Sequence, residues 1–198
     1  LQANCVIWVE GPSDRIYLKH WITQADPILL EGVHYSIMFY GGRLLSHPTA
    51  NDPEVEEFIS LRWLNRFICI LMDSDRADSE QLNATKRRVR EEFDKGPGFA
   101  WVTRGREIEN YIPSAVLEKA VRSVHKDVKE MAGSGRHDRA LEYYREGQTR
   151  ALIADKVKVA YQVVKEPSDF GVLDLKQMIG KIIDFISQAN DIDEILKL

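Results

Sequence analysis

The run Phe67–Met72, FICILM, which closes on Asp73-Ser74-Asp75, constrains this 198-residue chain more than any other stretch. An apolar block this short, bounded by Arg66 and Asp73, fits a strand buried on both faces better than a helix with one wet side. Such a strand needs neighbours of the same kind, and the sequence supplies them in Cys5–Val9 (CVIWV), Ser36–Tyr40 (SIMFY) and Phe99–Thr103 (FAWVT). Between these runs the period becomes helical. Ser13 offers an N-cap for a helix carrying Ile16, Leu18, Trp21 and Ile22. Pro53 opens another, with Val55, Phe58, Ile59 and Trp63 on one side. Leu82, Val89 and Phe93 mark a long charged helix that Gly96-Pro97-Gly98 breaks. Alternation of this kind predicts βαβ units: an α/β fold with a largely parallel central sheet and helices on both faces.

After Pro113 the pattern reads as helix only. Val116, Leu117, Ala120, Val121, Val124, Val128 and Met131 form one stripe. Leu152, Ile153, Val157, Ala160 and Val164 form a second, and Leu175, Met178, Ile179, Ile182, Ile183 and Ile186 a third. The expectation is a catalytic core over 1–112 and a mainly helical extension over 113–198 that completes the domain. The chain starts at Leu1 and enters an apolar run at Cys5, so it is read as a piece of a longer polypeptide. No apolar run approaches the roughly 20 residues of a membrane helix, and no N-terminal signal pattern is present. Cys5 and Cys69 sit inside apolar runs and read as buried small hydrophobes, and no histidine pairs with them at zinc spacing.

In a parallel sheet, ligands bind beyond the carboxyl ends of the strands. Acids gather there. Glu10 ends the first run and Asp14 follows across the Gly11-Pro12-Ser13 turn. Asp73 and Asp75 follow the third run, and residues i and i+2 of an extended segment point the same way. Glu107 and Glu109 follow the fourth. Each acid alone reads equally well as a loop or N-cap residue; their coincidence at successive strand ends is the signal. Gathered carboxylates repel unless a cation lies among them, and all-oxygen donors favour Mg²⁺ or Mn²⁺. Two such ions are the usual apparatus of phosphoryl transfer. The net charge of −4 does not announce nucleic-acid binding, but bound divalent cations would reverse the local sign. Gly11-Pro12-Ser13 lacks a P-loop ending, so no nucleotide site is read there. Lys86-Arg87-Arg88-Val89-Arg90 could touch phosphates, but it reads more readily as a solvated helix face, since Glu91, Glu92 and Asp94 follow.

The strings VEGPSDRIYLKHWI, YGGR, ILMDSDR and GREIENYIP resemble the Toprim domain, and within it the overcoming-lysogenisation-defect (OLD) family and related bacterial anti-phage proteins. The resemblance covers roughly residues 5–112. It implies a Toprim-like nuclease that follows an N-terminal ABC-type ATPase, a domain absent from this chain. It further implies metal binding by Glu10, Asp14, Asp73, Asp75 and Glu109, with Glu107 as the fallback, and a helical lysine that offsets charge at the scissile phosphate. Lys156 is the best match for that lysine and Lys158 the alternative. The catalytic set on this reading is Glu10, Asp73 and Lys156.

The expected function is therefore a metal-dependent endodeoxyribonuclease of the bacterial cytoplasm. It uses Mg²⁺ or Mn²⁺, acts on DNA as the effector of the ATPase in anti-phage defence, forms a homodimer or larger assembly, and has no membrane partner. The alternatives are a receiver-like or assembly module without hydrolytic activity, and a primase-like nucleotidyl transferase. The four-residue spacing of Glu10 and Asp14 argues against the receiver, which places its acids side by side.

Overall fold

The computed structural model describes residues 3–41, 45, 53–60, 66–77 and 80–192. Gly42 and Arg43 of the YGGR string, and Trp63, lie outside the described residues. Four strands form the central sheet: β1 (Cys5–Val9), β2 (Tyr35–Phe39), β3 (Ile68–Met72) and β4 (Phe99–Val102). Their order is β2-β1-β3-β4 and every pairing is parallel. Each coincides, within one residue at either end, with an apolar run of the sequence.

Every residue of β3 is buried, as a central parallel strand requires. The two-residue alternation of side chains sorts the core into two clusters. One face carries Cys5, Ile7 and Val9 of β1, Cys69 and Leu71 of β3, and Phe99 and Trp101 of β4. Against it pack α1 (Pro12–Ala25), α4 (Ser114–Val124), α5 (Lys156–Val163) and α6 (Leu175–Ala189). The other face carries Val6, Ile68, Ile70 and Met72, covered by α2 (Pro53–Ser60) and α3 (Ala84–Asp94).

Two local expectations change. Ser13 is not the N-cap of α1; Gly11 is, and Ser13 lies buried within the first turn. The stretch after Pro113 is not helix only. Val128 and Met131 belong to β5 (Val128–Met131), Leu152 and Ile153 to β7 (Leu152–Ile153), and both pair with β6 (Glu142–Arg145) in a small antiparallel sheet ordered β5-β6-β7. A spacing of three suits a helix stripe, but α4 ends at His125, where the backbone turns extended. The aromatic pair Tyr143 and Tyr144 then supplies the strand-forming partner. Cys5 and Cys69 are buried free thiols, as expected. Among the described residues, no helix is long and apolar enough to cross a membrane.

Candidate metal centre

The carboxyl ends of β1, β3 and β4 open onto one edge of the sheet, and each delivers acids there. Asp14, in the first turn of α1, accepts the Gly11 backbone N–H at Oδ2 (2.9 Å) and the Ser13 hydroxyl at Oδ1 (3.3 Å). Its position at a helix start favours the ionised form, but burial favours the neutral one more strongly, and its pKa lies above the usual carboxylate range. Glu10, less buried, is also raised, by burial and by Asp14, against the pull of Lys86.

Asp73 is buried directly after β3, and its Oδ1 accepts the Ile108 backbone N–H at 2.8 Å. That bond ties the strand end to the 3₁₀ turn Ile108–Tyr111. The seam is reinforced where Ser74 N donates to Thr103 Oγ1 (2.8 Å), Ser74 Oγ donates to Gly105 O (2.6 Å), and Asp75 N donates to Arg106 O (2.9 Å). A Cβ on Gly105 would lie 2.6 Å from the Asn110 Cβ, so this approach needs glycine. Asn110 Oδ1 in turn accepts the Glu107 N–H at 2.8 Å.

The outcome is a cluster in which Asp73, Glu107 and Glu109 each place a carboxylate oxygen within 4.8 Å of the others. Glu109 is fully buried and its Oε1 has no hydrogen-bond partner. Lys156, the first residue of α5, lies 3.1 Å from Glu107 Oε2 and 3.5 Å from Glu109 Oε2. Glu107 Oε1 also accepts the Ala140 N–H at 2.8 Å. Burial pushes the Glu109 carboxyl up, and Glu107 and Asp14 push it further; Lys156 opposes them, leaving it at about 7. Asp73 is driven well above its ordinary range by burial and by Asp14, Glu109 and Glu10. Burial works against the Lys156 charge, but Glu109, Glu107 and Asp73 outweigh it and hold the ammonium above the ordinary lysine range.

The Lys156 ammonium thus faces more carboxylates than it can neutralise. An unpartnered buried oxygen, an all-oxygen donor set and raised acid pKa values together fit a hard divalent cation. Asp73, Glu107 and Glu109 are the residues that could hold one.

Of the residues singled out from sequence, Asp73, Glu107, Glu109 and Lys156 converge here, and Asp14 acts on Asp73 and Glu109 through its charge. Glu10 is coupled to them electrostatically. Asp75 departs from expectation. Its backbone is left-handed (φ 54°), not extended, so its side chain does not follow that of Asp73. It is 64% exposed and pairs with Lys86. Lys158 points elsewhere, to Asp155 at 3.3 Å. A cleft of about 200 Å³, bounded by Asp75, Arg106, Glu107, Arg139 and Lys156, leads to the cluster.

Two residues escaped the sequence reading. Lys86, assigned with its basic neighbours to a solvated face, is 3% exposed and donates to the Asp73 carbonyl oxygen at 2.7 Å as well as to Asp75. Its place in the first turn of α3, three residues after the Asn83 cap, was the available signal. Tyr17 is fully buried, with a hydroxyl that has no partner and feels Glu109, Asp14 and Glu107. Nothing in its helical spacing separates it from a core aromatic.

No protein-family model and no curated protein sequence matches the chain. Solved structures do match. The C-terminal region of the Burkholderia pseudomallei OLD protein aligns with a TM-score of 0.60 at 16% identity, over 94% of this chain and 100% of that one. The C-terminal region of the Xanthomonas campestris pv. campestris OLD protein gives 0.53 at 14% identity, over 97% and 98%. At such identities the likeness is one of fold. It is the fold expected from the strand-end motifs: a Toprim-type parallel sheet with flanking helices.

Proposed function

We propose, with the fold shared with the C-terminal regions of OLD proteins as the premise, that this chain is a divalent-metal-dependent endonuclease that hydrolyses DNA phosphodiesters. The observation that carries the reading is the Glu109 carboxylate, fully buried, facing Asp73 and Glu107, with one oxygen unpartnered. A structural ion pair would satisfy that oxygen; a cation site leaves it open for a ligand bond.

On this reading Asp73, Glu107 and Glu109 would hold one Mg²⁺ or Mn²⁺, and Glu10 and Asp14 would add negative charge beside it for a second. When bound, the cations supply the positive charge and Lewis acidity that phosphodiester cleavage needs. The chain's own groups do the rest. The Ile108 N–H fixes the Asp73 carboxylate, and the Ser74–Thr103–Gly105 seam keeps the acids of β3 and β4 in one frame. Lys86 holds Asp75 at the mouth. Lys156, which pairs with Glu107 and Glu109 at the edge of the cluster, would offset charge on the phosphate in the transition state. Glu10, Asp73 and Lys156 are thus assigned to catalysis. By the same premise the chain is the effector of an N-terminal ABC-type ATPase in anti-phage defence, in the bacterial cytoplasm, as a homodimer or larger assembly.

The test is incubation of supercoiled plasmid with Mg²⁺ or Mn²⁺, comparing the parent with Glu10→Ala, Asp73→Ala, Glu109→Gln and Lys156→Ala. The parent should nick the plasmid, EDTA should stop it, and each variant should lose about 100-fold or more of the rate. Equal nicking by parent and variants removes the assignment.

A further inference from the structure

A second concavity opens on the outer side of β4, the edge strand of the parallel sheet, between α3 and α6. It measures about 320 Å³ and begins one residue beyond Asp75. Three guanidinium groups from three separate elements line it: Arg76 after β3, Arg90 on α3 and Arg104 after β4. Convergence of this kind is not what a charged helix face produces, because only Arg90 belongs to a helix.

Their partners are few. The Arg76 Nε is buried without a hydrogen-bond partner. Arg104 is exposed, and among the described residues neither it nor Arg76 pairs with a carboxylate. Arg90 reaches Asp94 at 3.5 Å, with both side chains more than 40% exposed, a weak pair in water. Among the described residues the groove's one lining carboxylate, Asp174, already accepts the Tyr111 hydroxyl at 2.6 Å. The groove is therefore locally cationic on a chain whose net charge is −4. Planar guanidinium groups match phosphate geometry, and Arg76 and Arg104 lie at the same end of β3 and β4 as the acids.

We propose that this groove binds the phosphate backbone of the polynucleotide substrate and leads the strand past Asp75 to the metal centre. The inference rests on the nuclease reading and adds where the substrate lies. Arg76 and Arg104 are backbone-binding residues that touch no reacting atom; they set affinity without reading sequence.

The test measures binding of a fluorescein-labelled DNA duplex by anisotropy in EDTA, over a range of salt concentrations. It compares the parent, the double variant Arg76→Ala/Arg104→Ala, and Arg122→Ala as a control. Arg122 lies on α4, paired with Glu118, away from the groove. Loss of two phosphate contacts should reduce the log–log salt slope by about 1.8 and weaken binding to unrelated sequences alike. The control should keep the parent slope. Far-UV circular dichroism and the melting temperature of the double variant should match the parent, which shows that it is folded, and the parent should hydrolyse the small ester bis(p-nitrophenyl) phosphate with Mn²⁺. A parental slope in the double variant overturns the groove and leaves the nuclease standing. That result is also expected if the free β4 edge instead accepts an added polypeptide strand. Absence of ester and plasmid cleavage in the parent overturns the nuclease reading itself.

Discussion

At the scale of the residue, Glu109 concentrates the physics of the site. Its carboxyl is moved from an ordinary 4.5 to about 7 by burial and by neighbouring acids. A folded-state pKa above the unfolded one means stability that is full below pH 4.5 and is lost as pH rises through 7. The metal-free protein should therefore be less stable at pH 8 than at pH 5.5, by on the order of 2 kcal/mol for this group. Glu109→Gln should flatten that dependence. Thermal melts in EDTA at both pH values check it, and an equal drop in parent and variant would assign the pH effect elsewhere. Asp75 teaches a different lesson. The i, i+2 rule that aimed it beside Asp73 assumes an extended chain, and a positive φ at a non-glycine residue leaves no mark in the sequence.

At the scale of the element, α3 shows how a cap aims a side chain. Asn83 Oδ1 accepts the Lys86 backbone N–H at 2.7 Å, which starts the helix and sets the rotation that buries Lys86. Asn83→Ala should cost about 1 kcal/mol in urea unfolding, whereas Asn83→Asp should stay close to the parent. Equal losses in both would mean that the cap does not govern the helix start. The parallel strands were legible because FICILM and its companions are apolar on both faces, and few other elements give so short an uninterrupted run. The small antiparallel sheet was not. β7 has two residues, too few to show a period, and β6 reads Glu-Tyr-Tyr-Arg, which alternates nothing. The strand-end acids were legible as a set because they follow apolar runs. Lys86 was hidden because its orientation depends on a cap and not on its neighbours' charges.

At the scale of the whole molecule, the acids come from the ends of separate strands, so their repulsion acts on the packing of the entire sheet edge. A cation held among them should stabilise the fold globally. At 100 times its dissociation constant it would add about 2.7 kcal/mol, a rise in melting temperature of roughly 5–10 °C. Mn²⁺ titration followed by differential scanning fluorimetry reads this directly; Asp73→Ala should show no rise, and a parent indifferent to Mn²⁺ would argue against a resident cation. The sheet divides the core into two clusters, and most of the acidic centre is built from elements on the α1 side. Lys86 reaches it from the opposite side, carried by α3. The helix is thus a lever arm whose tip grips the Asp73 carbonyl oxygen and Asp75. A displacement of α3 along its axis would shift that grip without disturbing the scaffold around Glu109, so the mouth of the centre can be retuned from the far face of the molecule.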